Sequence, residues 1–336
     1  MSIVPRAPQG EPDAPQGEPD TPQGKPDAPQ GKPDAGGPAV VALGGGHGLA
    51  AVLRAAQGYA GSVTAVVSVA DDGGSSGRLR RELGVVPPGD LRKCLVALAA
   101  PGNAWSAAFE HRFGGTELAG HALGNLVLVG LIETLGDVGR ALDEAGRILG
   151  AAGRVRPATI DHVVIRAQIE GAGPGSESAP VEGQVAVMQH QGRIRRLELV
   201  PADARAHPDA ISAIASADQV VLAPGSLFTS LLPVLVVPEI RDAIRATRAQ
   251  VVQVSNLEPQ VPETEGLDAV DHLQAVLEHG TRVDVLLGPT DGLLRADVAA
   301  VRAAGVRSAA AAMANPSGHG HDPTRLARAL ADLLES

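Results

Sequence analysis

Residues Val69 to Arg80 read VADDGGSSGRLR. Two adjacent carboxylates, Asp71 and Asp72, run into Gly73 and Gly74, the hydroxyls of Ser75 and Ser76, Gly77, and the guanidinium of Arg78. Carboxylates of this kind hold ribose or sugar hydroxyls, or Mg2+. The glycines let a backbone approach a ligand, and an arginine fork meets phosphate. A solvated loop with Asp72 capping a turn would use the same residue types, but eight polar or glycine residues in series exceed what a turn needs.

Other stretches carry similar chemistry. VVALGGGHGL places Gly44, Gly45, Gly46, His47 and Gly48 between an apolar run and a helix-like run. A helix start offers free N–H groups and a positive dipole end to an anion. A tight turn that binds nothing also fits, and neither GxGxxG nor the Walker signature is present. LAPGSLFTS supplies Gly225, Ser226, Thr229 and Ser230, a second anion cradle or a helix capped by Ser226. GHALGNL sets His121 and Asn125 four apart, on one face if the segment is helical. Asn256, Glu263 and Thr264 punctuate a Pro-rich loop. His319, His321 and Asp322 in GHGHDP are weak as a metal set, because Asp322 suits a helix cap before Pro323. Cys94 in DLRKCLVALA reads as a small buried hydrophobe.

Alternating strands and helices must position these groups. Ala39–Leu43 and Val63–Val69 read as buried strands, with helices over Leu49–Ala56, Gly89–Ala100, Leu123–Leu135 and Val138–Leu149. Thr159–Glu170, Val181–Gln189 and Arg193–Leu199 read as an antiparallel insertion, with a hairpin turn at His190–Arg193. The rhythm resumes with helices at Asp209–Ala217, within Val236–Ala249, at Ala269–His279 and at Pro323–Leu334. Strands at Gln219–Leu222, Val251–Ser255 and Val283–Leu287 lie between them. This predicts an α/β fold: a Rossmann-like, mostly parallel sheet with helices on both faces and an antiparallel strand insertion. Ligands of such sheets bind at the carboxyl ends of the strands, where the polar stretches fall.

The 336 residues are 44% hydrophobic but 1% aromatic, so the core is aliphatic. A net charge of −10 disfavours non-specific nucleic-acid binding. A single cysteine excludes an internal disulfide and fits a reducing cytoplasm. The most apolar window, Val220–Val237, is broken by Pro224, Gly225 and Pro233, so no membrane insertion is expected. Residues 7–34 repeat APQGEPD, APQGEPD, TPQGKPD, APQGKPD. Pro and Gly in each unit predict a disordered tail over 1–37, with residues 38–336 as a single α/β domain.

Taken together, GGGHGL (44–49), VADDGGSSGRLR (69–80), PPGDLRKCLVALA (87–99), GHALGNL (120–126), LAPGSLFTS (222–230) and HDPTRLA (321–327) resemble the gluconeogenesis-factor (YvcK-type) family. That family is related to 2-phospho-L-lactate transferase (CofD-type). The resemblance spans roughly residues 39–334 and implies a cytoplasmic regulator that binds a UDP-sugar, notably UDP-N-acetylglucosamine, without catalytic residues or a metal site. It further implies support of gluconeogenic growth, cell shape and peptidoglycan synthesis. Mg2+ would enter only with a nucleotide ligand, and homo-oligomer formation is left open. A transferase of a nucleotide-activated phospho group is the alternative. The chain departs from the family's N-x-x-T-Q-P-G-E-T pattern at Pro259, Val261 and Pro262, and carries Gly320 where a basic residue often precedes HDP. Of the two aspartates, Asp72 is expected to face the ligand and Asp71 to hold the loop, since successive side chains alternate.

Deleting residues 1–36 is expected to leave the melting temperature and nucleotide-sugar affinity unchanged, as read by scanning calorimetry and titration.

Overall fold

The computed structural model describes residues 36–115, 117–170, 179–190 and 192–335. The heptapeptide repeat lies outside the described residues.

The first half of the chain runs β1 (Ala39–Gly44), α1 (Gly46–Ala56), β2 (Ser62–Val67), α2 (Gly74–Leu83), α3 (Pro88–Leu98), α4 (Ala104–Glu110), α5 (Leu123–Leu135), α6 (Val138–Leu149) and β3 (Arg154–Pro157). An insertion follows: β4 (Val164–Glu170), β5 (Ala179–Glu182), α7 (Gln184–Gln189) and β6 (Arg193–Val200). The second half runs α8 (Pro208–Ala215), β7 (Gln219–Leu222), a π-helical turn (Leu227–Leu231), α9 (Leu232–Leu235), α10 (Pro238–Ala246), β8 (Gln250–Val254), α11 (Ala269–Glu278), β9 (Val285–Pro289), α12 (Val298–Ala303), β10 (Arg307–Ala311) and α13 (Pro323–Leu334).

Seven strands form one parallel sheet in the order β10-β9-β8-β7-β1-β2-β3. The chain leaves β1 toward β2 on one side and returns to β7 on the other. The crevice between the β1 and β7 ends is therefore the switch point where such sheets bind ligands. The central strands are continuous apolar runs, as burial on both faces requires. β4, β5 and β6 form a separate antiparallel sheet in the order β5-β4-β6. β4 alternates buried and half-buried residues and puts Ile165, Ala167 and Ile169 into the core. The architecture is the expected α/β fold, a parallel sheet with an antiparallel insertion.

Three local expectations differ. Val181–Gln189 is not one strand: it is a strand to Glu182 and a helix from Gln184. Gly183, at a φ of +97°, turns the chain, and the Asp72 carboxylate caps the new helix. That tertiary cap overrides the local β pattern. His190–Arg193 does not join two paired strands, because β6 pairs with β4 and not with β5; Gln191 lies outside the described residues. Thr159–Glu170 is a strand only from Val164, and the preceding RVRP, which the sequence pattern missed, extends the main sheet as β3. Helices α2, α4 and α12 and strand β10 were also not expected from periodicity. They are short or rich in small residues.

α4 carries the single tryptophan. Trp105 is 49% exposed and meets the fully buried Phe109 edge to face at 6.4 Å.

One buried charge ties the β3 edge to two helices. Arg156 is 2% exposed. It donates two bonds to Asp143 of α6, at 2.9 and 3.0 Å, and one to Asp209 of α8, at 2.7 Å. Removing one partner of a buried ion pair typically costs about 3–5 kcal/mol. Asp143 and Asp209 keep much of their surface in water, so Arg156→Ala is expected to lower unfolding free energy by the smaller amount of about 2–3 kcal/mol. Urea titration checks this, with the denaturant slope unchanged.

Candidate functional site

β1 ends at Gly44, and the chain turns through Gly45 into α1. Gly44 and Gly46 have φ of +145° and +62°, which disfavour side chains. Gly48 is constrained by space instead. A Cβ there would lie 1.8 Å from the Pro224 carbonyl oxygen, so the turns after β1 and β7 touch backbone to backbone. A Cβ on Gly45 would lie 2.5 Å from Asp90 Oδ2 and 3.3 Å from Ser230 Cβ.

Asp90, which sequence pattern alone does not single out, joins the site. From the first turn of α3 its carboxylate accepts the Gly46 N–H at 2.8 Å and Lys93 Nζ at 3.0 Å. The signal was present in PPGDLRK: an acid and a base three apart at the head of an apolar helix. The N–H groups of His47 and Gly48 have no intrahelical partner, as at any helix start. Both residues line a cleft of about 690 Å³. Its walls are Arg54 of α1, the Pro224–Ser226 turn, the 256–263 loop, Met188 of α7 and the 319–321 turn. Partial burial, then the charge of Lys93, pulls the His47 pKa below 6.5, so the ring is neutral at pH 7 and acts as a hydrogen-bonding group.

VADDGGSSGRLR is mostly helix rather than loop, since α2 starts at Gly74. None of its residues lines the 690 Å³ cleft. Both aspartates are engaged within the fold: Asp71 holds the loop as expected, and Asp72, expected to face a ligand, caps a helix instead. Asp72 accepts the Gln184 and Val185 N–H groups at 2.9 and 3.0 Å, fastening the head of α7. Asp71 accepts the Gly73 N–H at 2.9 Å, bonds Ser76, and faces toward Asp90. Burial, helped by the negative charge of Asp90, raises the Asp71 pKa.

Ser75 and Asn125 belong to a buried chain of donors. Arg92 Nε donates to Asn125 Oδ1 at 3.1 Å, Asn125 Nδ2 to Ser75 Oγ at 3.0 Å, and Ser75 Oγ lies 2.9 Å from His121 Nδ1. All four are at least nine-tenths buried. Asn125 therefore acts by joining α2, α3 and α5. Arg78 donates to the Ala119 carbonyl at 2.6 Å.

The second cradle is already filled from within. Glu263 accepts Ser226 Oγ at 2.6 Å, the Phe228 N–H at 3.0 Å and the Thr229 N–H at 2.8 Å. Ser226 and Thr229 hydroxyls also bond each other. Glu263, not Ser226, caps this turn, because a carboxylate reaches several N–H groups that a serine at the cap cannot. Burial raises the Glu263 pKa against these bonds. Asn256 clamps Gly225, accepting its N–H at 2.6 Å and donating to its carbonyl at 2.9 Å. Thr264 accepts the Gln260 N–H at 2.9 Å and so closes the loop. Thus Asn256, Glu263 and Thr264 build the cleft wall. Ser230 sits against Gly45. His321, which the sequence reading left out of the ligand set, lines the cleft, with its Nε2 at 3.2 Å from the Ser255 carbonyl. Among the described residues no three His, Cys, Asp or Glu side chains converge as a metal site. Cys94 is fully buried, and burial raises its thiol pKa well above the ordinary value.

Asp71 and Asp72 make a test. A carboxyl whose folded pKa is raised contributes most below its unfolded pKa, and that contribution is lost as pH rises through the folded value. At pH 7 Asp71 therefore costs stability. Asp71→Asn keeps an acceptor for Gly73 and is expected to raise the melting temperature at pH 7, with the gain vanishing toward pH 3. Asp72→Asn gives up one of two charge-assisted bonds and is expected to cost about 1–2 kcal/mol. Thermal melts at both pH values separate the two.

Comparison with known proteins accords with this geometry. Residues 40–330 match the family model described as 2-phospho-L-lactate transferase CofD. A putative gluconeogenesis factor of Mycobacterium leprae is 47% identical over 251 residues, 72% of this chain and 69% of that one. The gluconeogenesis factor of Bacillus subtilis is 39% identical over 243 residues, 72% of this chain and 75% of that one. The crystal structure of a UPF0052 family member from Bacillus halodurans superposes with a TM-score of 0.82 at 35% identity, covering 87% of this chain and 98% of its own. With its β1 and β7 turns meeting at the switch point of a sheet shared with these proteins, the chain belongs to the CofD family, and its curated relatives are named gluconeogenesis factors.

Proposed function

We propose that this protein is a gluconeogenesis factor that works by binding a UDP-sugar, UDP-N-acetylglucosamine foremost, in the cleft between the β1 and β7 turns. The observation that carries the reading is the open start of α1. His47 and Gly48, whose N–H groups lie in the first turn of α1 without intrahelical partners, and Arg54 along the same helix line a cleft of about 690 Å³. A diphosphate suits free N–H groups at a helix start, and the volume falls in the range of small-molecule sites. Arg54 is exposed and has no acidic partner among the described residues. Neutral His47 adds a hydrogen bond without a charge. The 256–263 loop and the 319–321 turn stand where the sugar would extend.

On this reading the ligand is sensed rather than turned over, in the cytoplasm, and the protein serves gluconeogenic growth, cell shape and peptidoglycan synthesis. Mg2+ enters only as a companion of the nucleotide. One observation favours the second reading, transfer of a nucleotide-activated phospho group: burial and the neighbouring Asp90 raise the pKa of Asp71, the direction that a proton-exchanging carboxyl requires.

Titration calorimetry of the full chain with UDP-N-acetylglucosamine, with product analysis of the same samples, tests both readings. Saturable binding without product is expected. Arg54→Gln is expected to weaken binding about tenfold while the fold is kept. Absence of binding by wild type overturns the first reading, and product formation replaces it with the second.

A further inference from the structure

A second cavity, of about 620 Å³, shares no lining residue with the cleft. It lies between β6, α10 and the last turn of α11. Arg195, Arg196, Arg241 and Arg245 all line it, in a chain whose net charge is −10.

The arginines are poorly matched by acids. Arg195 is paired, with Glu170 at 2.7 Å. The nearest acid to Arg241 is Asp242, at 3.7 Å. Arg196 and Arg245 have no ion pair among the described residues. Glu198 and Glu278 also line the cavity, and Glu198 is engaged at 3.4 Å by Arg166. Arg241 Nε is buried without a hydrogen-bond partner. Buried donors in folded proteins almost always have one.

The placement is also electrostatically unfavourable by itself. Arg241 and Arg245 are four apart on α10, a like-charge pair that destabilises an isolated helix. Both reach over Gly280. A Cβ there would lie 3.2 Å from Arg241 Cδ and 3.6 Å from Arg245 Nη2. The end of α11 does not use them as caps, because neither donates to its carbonyls among the described residues. His279 stiffens the opposite wall. Its Nδ1 meets the Ala275 carbonyl at 2.6 Å and its Nε2 accepts the Leu197 N–H at 3.0 Å, which fixes the β6 edge against α11. Leu197, Leu199, Val236 and Pro238 give the cavity an apolar side.

We propose that this cavity is a second ligand site, for a small phosphorylated molecule. Arg196, Arg241 and Arg245 hold the phosphate, and Val236 and Pro238 take the organic part. Three planar forks converging with unused donors suit the tetrahedral, multiply accepting phosphate better than a carboxylate. The site does not depend on what the cleft binds.

Calorimetry of the full chain with phenyl phosphate as the probe tests this. Wild type is expected to bind with a dissociation constant of about 1 mM or tighter. Arg241→Gln with Arg245→Gln is expected to weaken binding at least tenfold. Arg54→Gln, in the cleft, is expected to leave binding within about twofold of wild type. Circular dichroism verifies the fold, and if the double variant is unfolded, Arg196→Gln on its exposed strand face must show a loss of at least about threefold. Wild type that does not bind at about 10 mM, or variants that bind as wild type does, overturns the proposal. Sedimentation with phosphatidic acid vesicles separates the phosphate source: binding to vesicles without binding of phenyl phosphate also overturns it.

Discussion

Backbone contact between Gly48 and Pro224 is the constraint around which the site is organised. No side chain fits between α1 and the turn after β7, so the two central strands end at one point. Everything polar in the site then has a fixed address. Asp90 and Lys93 approach the α1 start from α3, Ser230 from the π-helical turn, and Asn256 grips Gly225 from the end of β8. A parallel sheet makes such a meeting natural, because its strand ends share one edge and its crossovers start there.

Acidic side chains do much of the local construction. Asp137, Asp268, Asp297 and Asp322 each accept N–H groups at the heads of α6, α11, α12 and α13. Asp72 does this for α7 across more than a hundred residues, and Glu263 for the π-helical turn. These six of the 38 acidic residues sit at helix and turn starts, where the macrodipole favours negative charge. At the start of α1, the second and third residues, His47 and Gly48, line the 690 Å³ cleft.

Much of this was legible in the sequence. Long apolar periods gave α1, α3, α5, α6 and α13, and the short Val-rich runs gave β1, β2, β7, β8 and β9. Asp322 was readable as a cap from its place before Pro323, and the structure shows it accepting the Arg325 N–H. The glycines at 44–48 were readable as a strand-to-helix turn. What was not legible depends on partners distant in sequence. Nothing local in VEGQVAVMQ signals that Asp72 will cap a helix there. Nothing local in PQVPET says that Glu263 will fill the cradle that LAPGSLFTS offers. The DD pair shows the same limit. Alternation predicts that the two side chains part, but which one goes where is decided by α7 and α3, elements that local pattern cannot place.

The near absence of aromatic residues has a spectroscopic consequence. Trp105 is the single indole, half in solvent on the seven-residue α4, held by the Asn103 cap and the edge of Phe109. The core beneath contains no second indole. Tryptophan emission from this protein therefore reports on α4 and its contact with Phe109, a local region whose opening can differ in free energy from that of the sheet. Fluorescence-detected and calorimetric unfolding curves need not coincide, even for a sheet that melts in one step.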